Sequence, residues 1–230
     1  MATTAQPADT RMMGIVHGAL VRDLLRTREV VSTSPYPCGR QRQALGEHVV
    51  WMLELLHKHH RGEDEGLWPL VRDRDPGAAA LLDSMEADHE RISPAAEAAT
   101  GAARRYAASA TEEARIELAG ALDALIEVLL PHLDREVAEA MPVVSACLSH
   151  AEWRAWETTY NVRTKSITEL GMEAHWLLEG IDPEGYRVVV TTVPPVPRFI
   201  LLHGFARAYR RRSRQRWQPD RSARPTPARS

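Results

Sequence analysis

This chain of 230 residues has little cysteine and no long apolar run, and each absence excludes a class of protein. Its two cysteines, Cys38 and Cys147, cannot build a disulfide framework or a cysteine-based metal site, so we expect a protein of the reducing cytoplasm. No window approaches the roughly eighteen consecutive apolar residues that a membrane-spanning helix needs. Residues 1–10 are polar and lack the apolar core of a secretory signal, so we expect no leader peptide.

The chain also lacks an overall excess of one charge. Lysine and arginine number 29 against 31 aspartate and glutamate, so we expect no nucleic-acid binding by the chain as a whole. The C-terminal end differs, because residues 207–230 hold nine arginines and one acid. An amphipathic stretch from Pro197 to about Trp217 leads into this region. It is either an accessory helix packed on the rest of the protein or a peripheral contact with an anionic membrane or a protein partner.

Helical periodicity dominates the first two thirds of the chain, and its composition, 44% hydrophobic and 26% charged, is that of a globular protein. Proline-containing segments at 32–37 and 75–77 interrupt the pattern, and Pro94 is expected to kink the third helix. The fold class is therefore predicted to be all-α, an up-down-up-down four-helix bundle over residues 11–142. The four helices are predicted from Met12 into the low thirties, over Gln41–Val71, over Ala78–Ala108 and from Thr111 to about Ala140.

Beyond Pro142 the pattern changes, and residues 143–217 are predicted to form an accessory, mostly helical extension. Ser149 and Glu152 have the spacing of a capping box at the start of a helix. The segment Val188–Thr192 is rich in β-branched residues and favours extended backbone, although no partner strand is evident. Residues 218–230 are predicted to be a basic, disordered tail.

Histidine is the abundant residue that matters, with ten in the chain. Two of them, His59 and His132, are each followed four residues later by a glutamate, Glu63 and Glu136. On a helix these positions share a face, so each pair can offer an imidazole to one metal and a carboxylate that bridges to a second. Imidazole and carboxylate together suit iron or manganese, and di-iron sites in bundle cores are built in this way.

Spacing alone is weak evidence, because His175 and Glu179 repeat it beyond the bundle. The position of each histidine along the bundle axis separates candidate metal ligands from coincidental pairs better than spacing does. Antiparallel helices joined at the predicted breaks bring one histidine from each helix to the same level within roughly a turn, at about 1.5 Å per residue. Each of these histidines also lies on the apolar face of its helix, whereas the His175 pair is interpreted as a coincidence. The four are His17, His59, His89 and His132.

Several blocks of the sequence resemble the HHE cation-binding domain of hemerythrin-like proteins, of the bacterial stand-alone type. They are His17, the run His59–Pro69 with its Leu-Trp-Pro ending, Met85–His89 and Pro131–Glu136. The resemblance covers about residues 11–142. It implies two iron ions, with His17, His59, His89 and His132 as terminal ligands and Glu63 and Glu136 as bridges.

The sequence departs from classical hemerythrin on the third helix, where Met85 stands four residues before His89 in place of a second histidine. The missing ligand has three possible sources. They are His60, Glu86, and water or another exogenous ligand. Taken singly, His60 and Glu86 are more readily interpreted as solvated surface residues. Three further histidines, His48, His57 and His150, are expected to be exposed or partly buried, without a role.

The resemblance implies a protein that binds or reduces a small oxidant, namely dioxygen, peroxide or nitric oxide, with electrons from an unidentified donor. One alternative is a di-iron oxidase or oxygenase acting on an organic substrate. Another is a sensor of iron or oxygen without turnover, and a third is a helical bundle that holds no metal. A cavity beside the metals large enough for an organic molecule would favour the oxidase.

Overall fold

The computed structural model describes residues 6–219, and the regular structure in this range is helical. The helices in chain order are α1 Arg11–Ser32, α2 Gly39–Gly62, α3 Trp68–Arg74, α4 Ala79–Ala108, α5 Glu112–Arg135, α6 Met141–Cys147, α7 His150–Glu157, α8 Ile167–Leu178, α9 Pro183–Thr191, α10 Pro195–Gly204 and α11 Ala206–Trp217. In the described part of the chain, no helix combines the length and the apolarity needed to cross a membrane.

The first six helices form four rods, because two pairs are continuous. A π-helical turn, Glu63–Leu67, joins α2 to α3, and a second, Glu136–Ala140, joins α5 to α6. The rods pack α2 on α4, α4 on α5 and α5 on α1. The helix α4 runs through Pro94 without a break. The predicted all-α bundle with a helical extension is confirmed.

The apolar core of the bundle consists of two clusters, one on each side of the histidine level. On α1, Met13 belongs to one cluster and Leu20 to the other, so that His17 lies between them. The same order recurs on α2, where Leu56 and Leu67 flank the level of His59. Apolar side chains therefore cover the polar level from above and below.

Residues 188–192, predicted to be extended, are helical in the structure up to Thr191 at the end of α9, and this prediction is wrong. The side chain of Asp182 caps the helix by accepting from the backbone N–H groups of Glu184 and Gly185. Val188 and Val189 are buried where α9 packs on α1. A good cap and the burial of one helical face outweigh the β-propensity of the valines.

The basic helix α11 packs against α2 and α8. This agrees with the expectation of an accessory helix packed on the rest of the protein. Tyr209 and Arg216 are buried in this contact, whereas Arg207, Arg211 and Arg214 remain exposed. A membrane or protein partner for the exposed arginines stays a prediction. The predicted tail, residues 218–230, lies outside the described residues from 220 onward.

Candidate metal centre

The six residues predicted as metal ligands meet in the centre of the bundle, where all of their side chains are buried. The carboxylates of Glu63 and Glu136 are fully buried, with 0% exposure. The imidazoles come from four rods, one each from α1, α2, α4 and α5. They are those of His17, His59, His89 and His132.

One half of the centre is formed by α1, α2 and the turn after α5. The Nε2 atoms of His17 and His59 lie 3.2 Å apart, and His17 Nε2 lies 3.4 Å from Glu136 Oε2. Potential ligand atoms of these three residues all lie within 4.8 Å of one another. This spacing allows one metal ion to contact all three.

The other half contains His89, His132 and also His60. The Nε2 atoms of His89 and His132 lie 3.2 Å apart, and the ring of His60 stacks on that of His89 with 4.1 Å between centroids. The Nε2 atom of His60 is buried and has no hydrogen-bond partner among the described residues. The interpretation of His60 as a solvated surface residue is therefore wrong. Its potential ligand atom lies within 4.8 Å of those of His89 and His132.

The two glutamates span the two halves. Oε1 of Glu63 lies 3.1 Å from His59 Nε2, and its Oε2 lies 3.7 Å from His89 Nε2. Oε2 of Glu136 lies 3.4 Å from His17 Nε2 and 3.7 Å from His132 Nε2. Each carboxylate therefore lies close to imidazoles of both halves of the centre.

The electrostatics of the centre fit bound metal cations. None of the four carboxylate oxygens of Glu63 and Glu136 has a hydrogen-bond partner in the described part of the chain. Burial raises the pKa of Glu63 well above its usual range and that of Glu136 to about 8. Burial also lowers the pKa of His17 to about 3, so its imidazole is neutral and keeps a free lone pair. Unpaired acceptors at this density are costly, and metal ions would satisfy them.

Two aspartates approach imidazoles in one half of the centre, and one of them, Asp64, is hydrogen-bonded there. Asp64 Oδ1 lies 2.7 Å from His89 Nδ1, whereas His132 Nδ1, at 3.5 Å from Asp88 Oδ2, has no hydrogen-bond partner among the described residues. Arg135 holds Asp88 with a hydrogen bond of 2.6 Å. In the other half, His17 Nδ1 is buried with no partner among residues 6–219. Carboxylates at this position fix the orientation of a metal-binding imidazole and increase its basicity, so the two halves differ.

The two glutamates occupy equivalent places in their rods, because each begins a π-helical turn. The N–H of Trp68 donates to the carbonyl of Glu63, and that of Met141 donates to the carbonyl of Glu136, five residues back in each case. A proline follows each donor, Pro69 and Pro142, and lacks the N–H that would continue the ordinary ladder. π-Turns are frequent at functional sites.

Sequence reasoning missed this feature, although the sequence contains its signal. The pattern histidine, three residues, glutamate, five residues, proline occurs from His59 to Pro69 and again from His132 to Pro142. The sequence signals for the two aspartates near the imidazoles are weaker. Asp64 lies one turn after His60, and Asp88 directly precedes His89.

Three other candidate residues, Glu86, His175 and Glu179, lie outside the centre. Both carboxylate oxygens of Glu86 accept from Arg72 at 2.8 Å, so this side chain is directed away from the metal residues. Glu179 pairs with Arg26 at 3.1 Å, and the ring of His175 stacks on Tyr209. The His175 pair therefore takes no part in the histidine cluster, as expected.

Among the histidines without a predicted role, His57 is exposed and His150 is partly buried, as expected. His48 differs, because it is buried and its Nε2 lies 2.7 Å from Asp23 Oδ2. The expectation that His48 is exposed or partly buried is wrong. Helix α11 covers it, as the edge-on contact of its ring with Trp217 shows.

A four-helix bundle with buried imidazoles on all four rods and two spanning carboxylates defines a cation-binding helical protein. The family model of the hemerythrin HHE cation-binding domain matches residues 10–144, and the chain belongs to this family. Neither the comparison with curated proteins nor that with solved structures found a match.

Proposed function

We propose that this chain is a non-haem di-iron protein that binds or reduces a small oxidant, namely dioxygen, peroxide or nitric oxide. The observation that supports the proposal is the placement of two buried, unpaired carboxylates across two groups of buried imidazoles. Mixed nitrogen and oxygen donors of this kind suit iron. Bound iron ions would supply electrons to the oxidant. An external electron donor would then reduce the iron again.

The division of the donors indicates how the chain would hold the two ions. His17 and His59 would hold one ion, and His60, His89 and His132 the other, with Glu63 and Glu136 shared between them. The first half therefore has one imidazole fewer than the second. Because the chain fills that half less completely, we expect an external small ligand to bind there.

A small oxidant has access to the centre from solvent. An open groove of about 670 Å³ between α2 and α4 reaches His60 and His89. Charged side chains, among them Asp64 and Arg104, also line this groove. This approach leads to the half of the centre that contains His60 and His89.

Metal analysis and an optical spectrum test the proposal. We expect about two irons per chain after anaerobic iron loading, because seven donor residues converge at the site. The oxidised protein should show near-ultraviolet charge-transfer bands that change on addition of peroxide or azide. Metal content near zero after loading would overturn the proposal.

A matched pair of variants tests the residue assignment. His59→Ala should lose most of the iron and lower the melting temperature, because metal binding and folding are linked. His175→Ala removes a histidine with the same spacing to a glutamate outside the centre and should keep both iron and stability. Equal loss of iron in the two variants would contradict the assignment.

A further inference from the structure

A second cavity lies beside the metal centre, between the bundle and the C-terminal extension. We call it the chamber; its volume is about 170 Å³. Its walls come from α1 and α2 on one side and from α7 and α8 on the other. Among the lining side chains are Met12, Leu55, His59, Trp156, Leu170 and Leu177.

The chamber is lined mainly by apolar side chains; four of its five charged residues form two ion pairs, and the fifth, Lys58, is exposed. Lys165 Nζ lies 2.6 Å from Glu173 Oε2, and Arg154 lies 2.8 Å from Glu157 Oε2. These four residues line the chamber, but their charges already have partners. A charged ligand would have to break one of these pairs or compete with solvent for the exposed Lys58, so the chamber favours a neutral one.

The volume sets the size of the ligand. An apolar cavity of about 150 Å³ in a protein core can hold one benzene molecule and otherwise stays dry. The chamber is therefore large enough for a single substituted ring or a short aliphatic chain. A site for dioxygen alone would not need this volume.

The location of the chamber connects it to the chemistry of the site. His59 is one of its walls, and the Nε2 of the same ring points to His17 and Glu63. All predicted metal ligands belong to residues 11–142, so the extension supplies none of them. What the extension does supply is the outer wall of the chamber, through Trp156, Leu170 and Leu177.

We propose that the chamber binds a small, neutral, largely apolar organic molecule beside the metal held by His17 and His59. The proposal deepens the proposed function, on which it rests for the metal, by giving the site a class of organic ligand. Such a ligand favours the alternative in which the protein is a di-iron oxidase or oxygenase that acts on an organic substrate.

Binding of 4-fluorotoluene, followed by fluorine NMR, tests the proposal. We expect the fluorine signal to broaden and shift in a saturable manner with the zinc-loaded protein. With the iron-loaded protein, the paramagnetic metal should increase the relaxation further, because the ligand lies next to His59. A saturable signal without the extra relaxation would overturn the placement beside the metal, and an unchanged signal would overturn the site itself.

Variants that fill the chamber test whether the ligand binds there, and a variant outside the chamber is the matched control. Ala174→Phe and Leu170→Phe both add volume from α8 and should weaken 4-fluorotoluene binding at least tenfold, with the iron content unchanged. Having two such variants keeps the test valid if one fails to fold. Ala124→Phe places the same ring on the exposed face of α5 and should leave binding unaltered. Equal effects of all three variants would contradict the chamber as the binding site.

These measurements separate the two proposals. Failure of the protein to take up iron would overturn the proposed function, whereas ligand binding to the zinc-loaded protein does not require iron. Conversely, a protein with two irons that does not bind 4-fluorotoluene keeps the proposed function and loses the chamber proposal.

Discussion

Two successive residues of α2, His59 and His60, face different neighbours. Because successive side chains on a helix diverge by about 100°, adjacent positions cannot share one partner. His59 Nε2 lies 3.2 Å from that of His17 on α1, whereas His60 stacks on His89 of α4. Since α2 lies between these two helices, it presents one imidazole to each half of the centre.

This placement predicts the effect of removing His60. His60→Ala should lower the affinity of one iron by about tenfold or more and alter the spectrum with azide, because even outer partners of metal ligands contribute that much. His57→Ala, one turn earlier on the exposed face of α2, is the control and should change neither property. Azide titration followed optically measures both. An unaltered spectrum for His60→Ala would show that His60 is not a ligand.

The buried carboxylates predict how the stability of the metal-free protein depends on pH. The pKa of Glu136 rises to about 8 from 4.5, because burial disfavours its charged form. Between these values the folded state keeps a proton that the unfolded chain has lost, so stability falls as pH rises. The pKa of His17 is lowered from 6.5 to about 3, and this group acts oppositely at lower pH. Stability should therefore be greatest near pH 6 and decline toward pH 8.

Glu136→Gln provides the measurement of this effect. In the metal-free protein, the variant should be more stable than the parent at pH 8 by roughly 1–3 kcal/mol and should reduce the decline. Urea unfolding at pH 6 and pH 8 measures the difference. The iron-loaded parent should show no such decline, since the metal charge stabilises the ionised carboxylates. A metal-free parent that gains stability from pH 6 to pH 8 would contradict the burial argument.

At the scale of the element, the π-turns place the glutamates. A π-turn contains one residue more than an α-turn over the same hydrogen-bonded loop, so it shifts the register of the helix that follows. Through this shift, Glu136 points into the centre while Ala140 and Met141 both remain in the apolar cluster beyond it. Pro142 helps to maintain the turn by withholding a backbone donor.

Restoring the donor should therefore disturb the site without unfolding the helix. Pro142→Ala should reduce the affinity for iron by about tenfold while leaving the helical content unchanged, because an ordinary α-turn becomes accessible. Pro94→Ala is the matched control, since Pro94 interrupts no part of α4 and lies one turn beyond His89. Iron titration with circular dichroism measures both. Equal affinities for the two variants would show that the proline has no influence on the glutamate.

At the scale of the whole molecule, a buried carboxylate joins the extension to the bundle. Asp23 of α1 accepts from His48 Nε2 of α2 at 2.7 Å and from Trp176 Nε1 of α8 at 3.0 Å. Arg22 adds a third contact at 2.8 Å. Because these donors come from three helices, the extension is held at a fixed place on the bundle.

Asp23→Ala should leave the buried donors of His48 and Trp176 without an acceptor and destabilise the protein by about 3 kcal/mol. Hydrogen exchange in α8 should accelerate, whereas the iron content should be retained. Asp123→Ala removes an exposed partner of Arg28 and should cost less than about 1 kcal/mol. Similar losses in the two variants would show that the buried contact does not hold the extension.

The sequence alone determined the helical class, the four rods and the six residues expected to hold metal. Helical periodicity and proline breaks are local signals, and equal distances along antiparallel rods convert them into one common level for His17, His59, His89 and His132. The resemblance then gave the bridging role to Glu63 and Glu136. These inferences needed no knowledge of which helices are neighbours beyond their order in the chain.

Only the tertiary structure decided the role of residues whose environment comes from distant segments. His60 is buried because α4 covers it, His48 because α11 covers it, and Val188 is helical because α1 buries it. Local propensity does not contain these contacts, since burial depends on packing between segments far apart in sequence. The chamber is the clearest case, because its walls come from helices on both sides of residue 142 and exist only when the extension packs on the bundle.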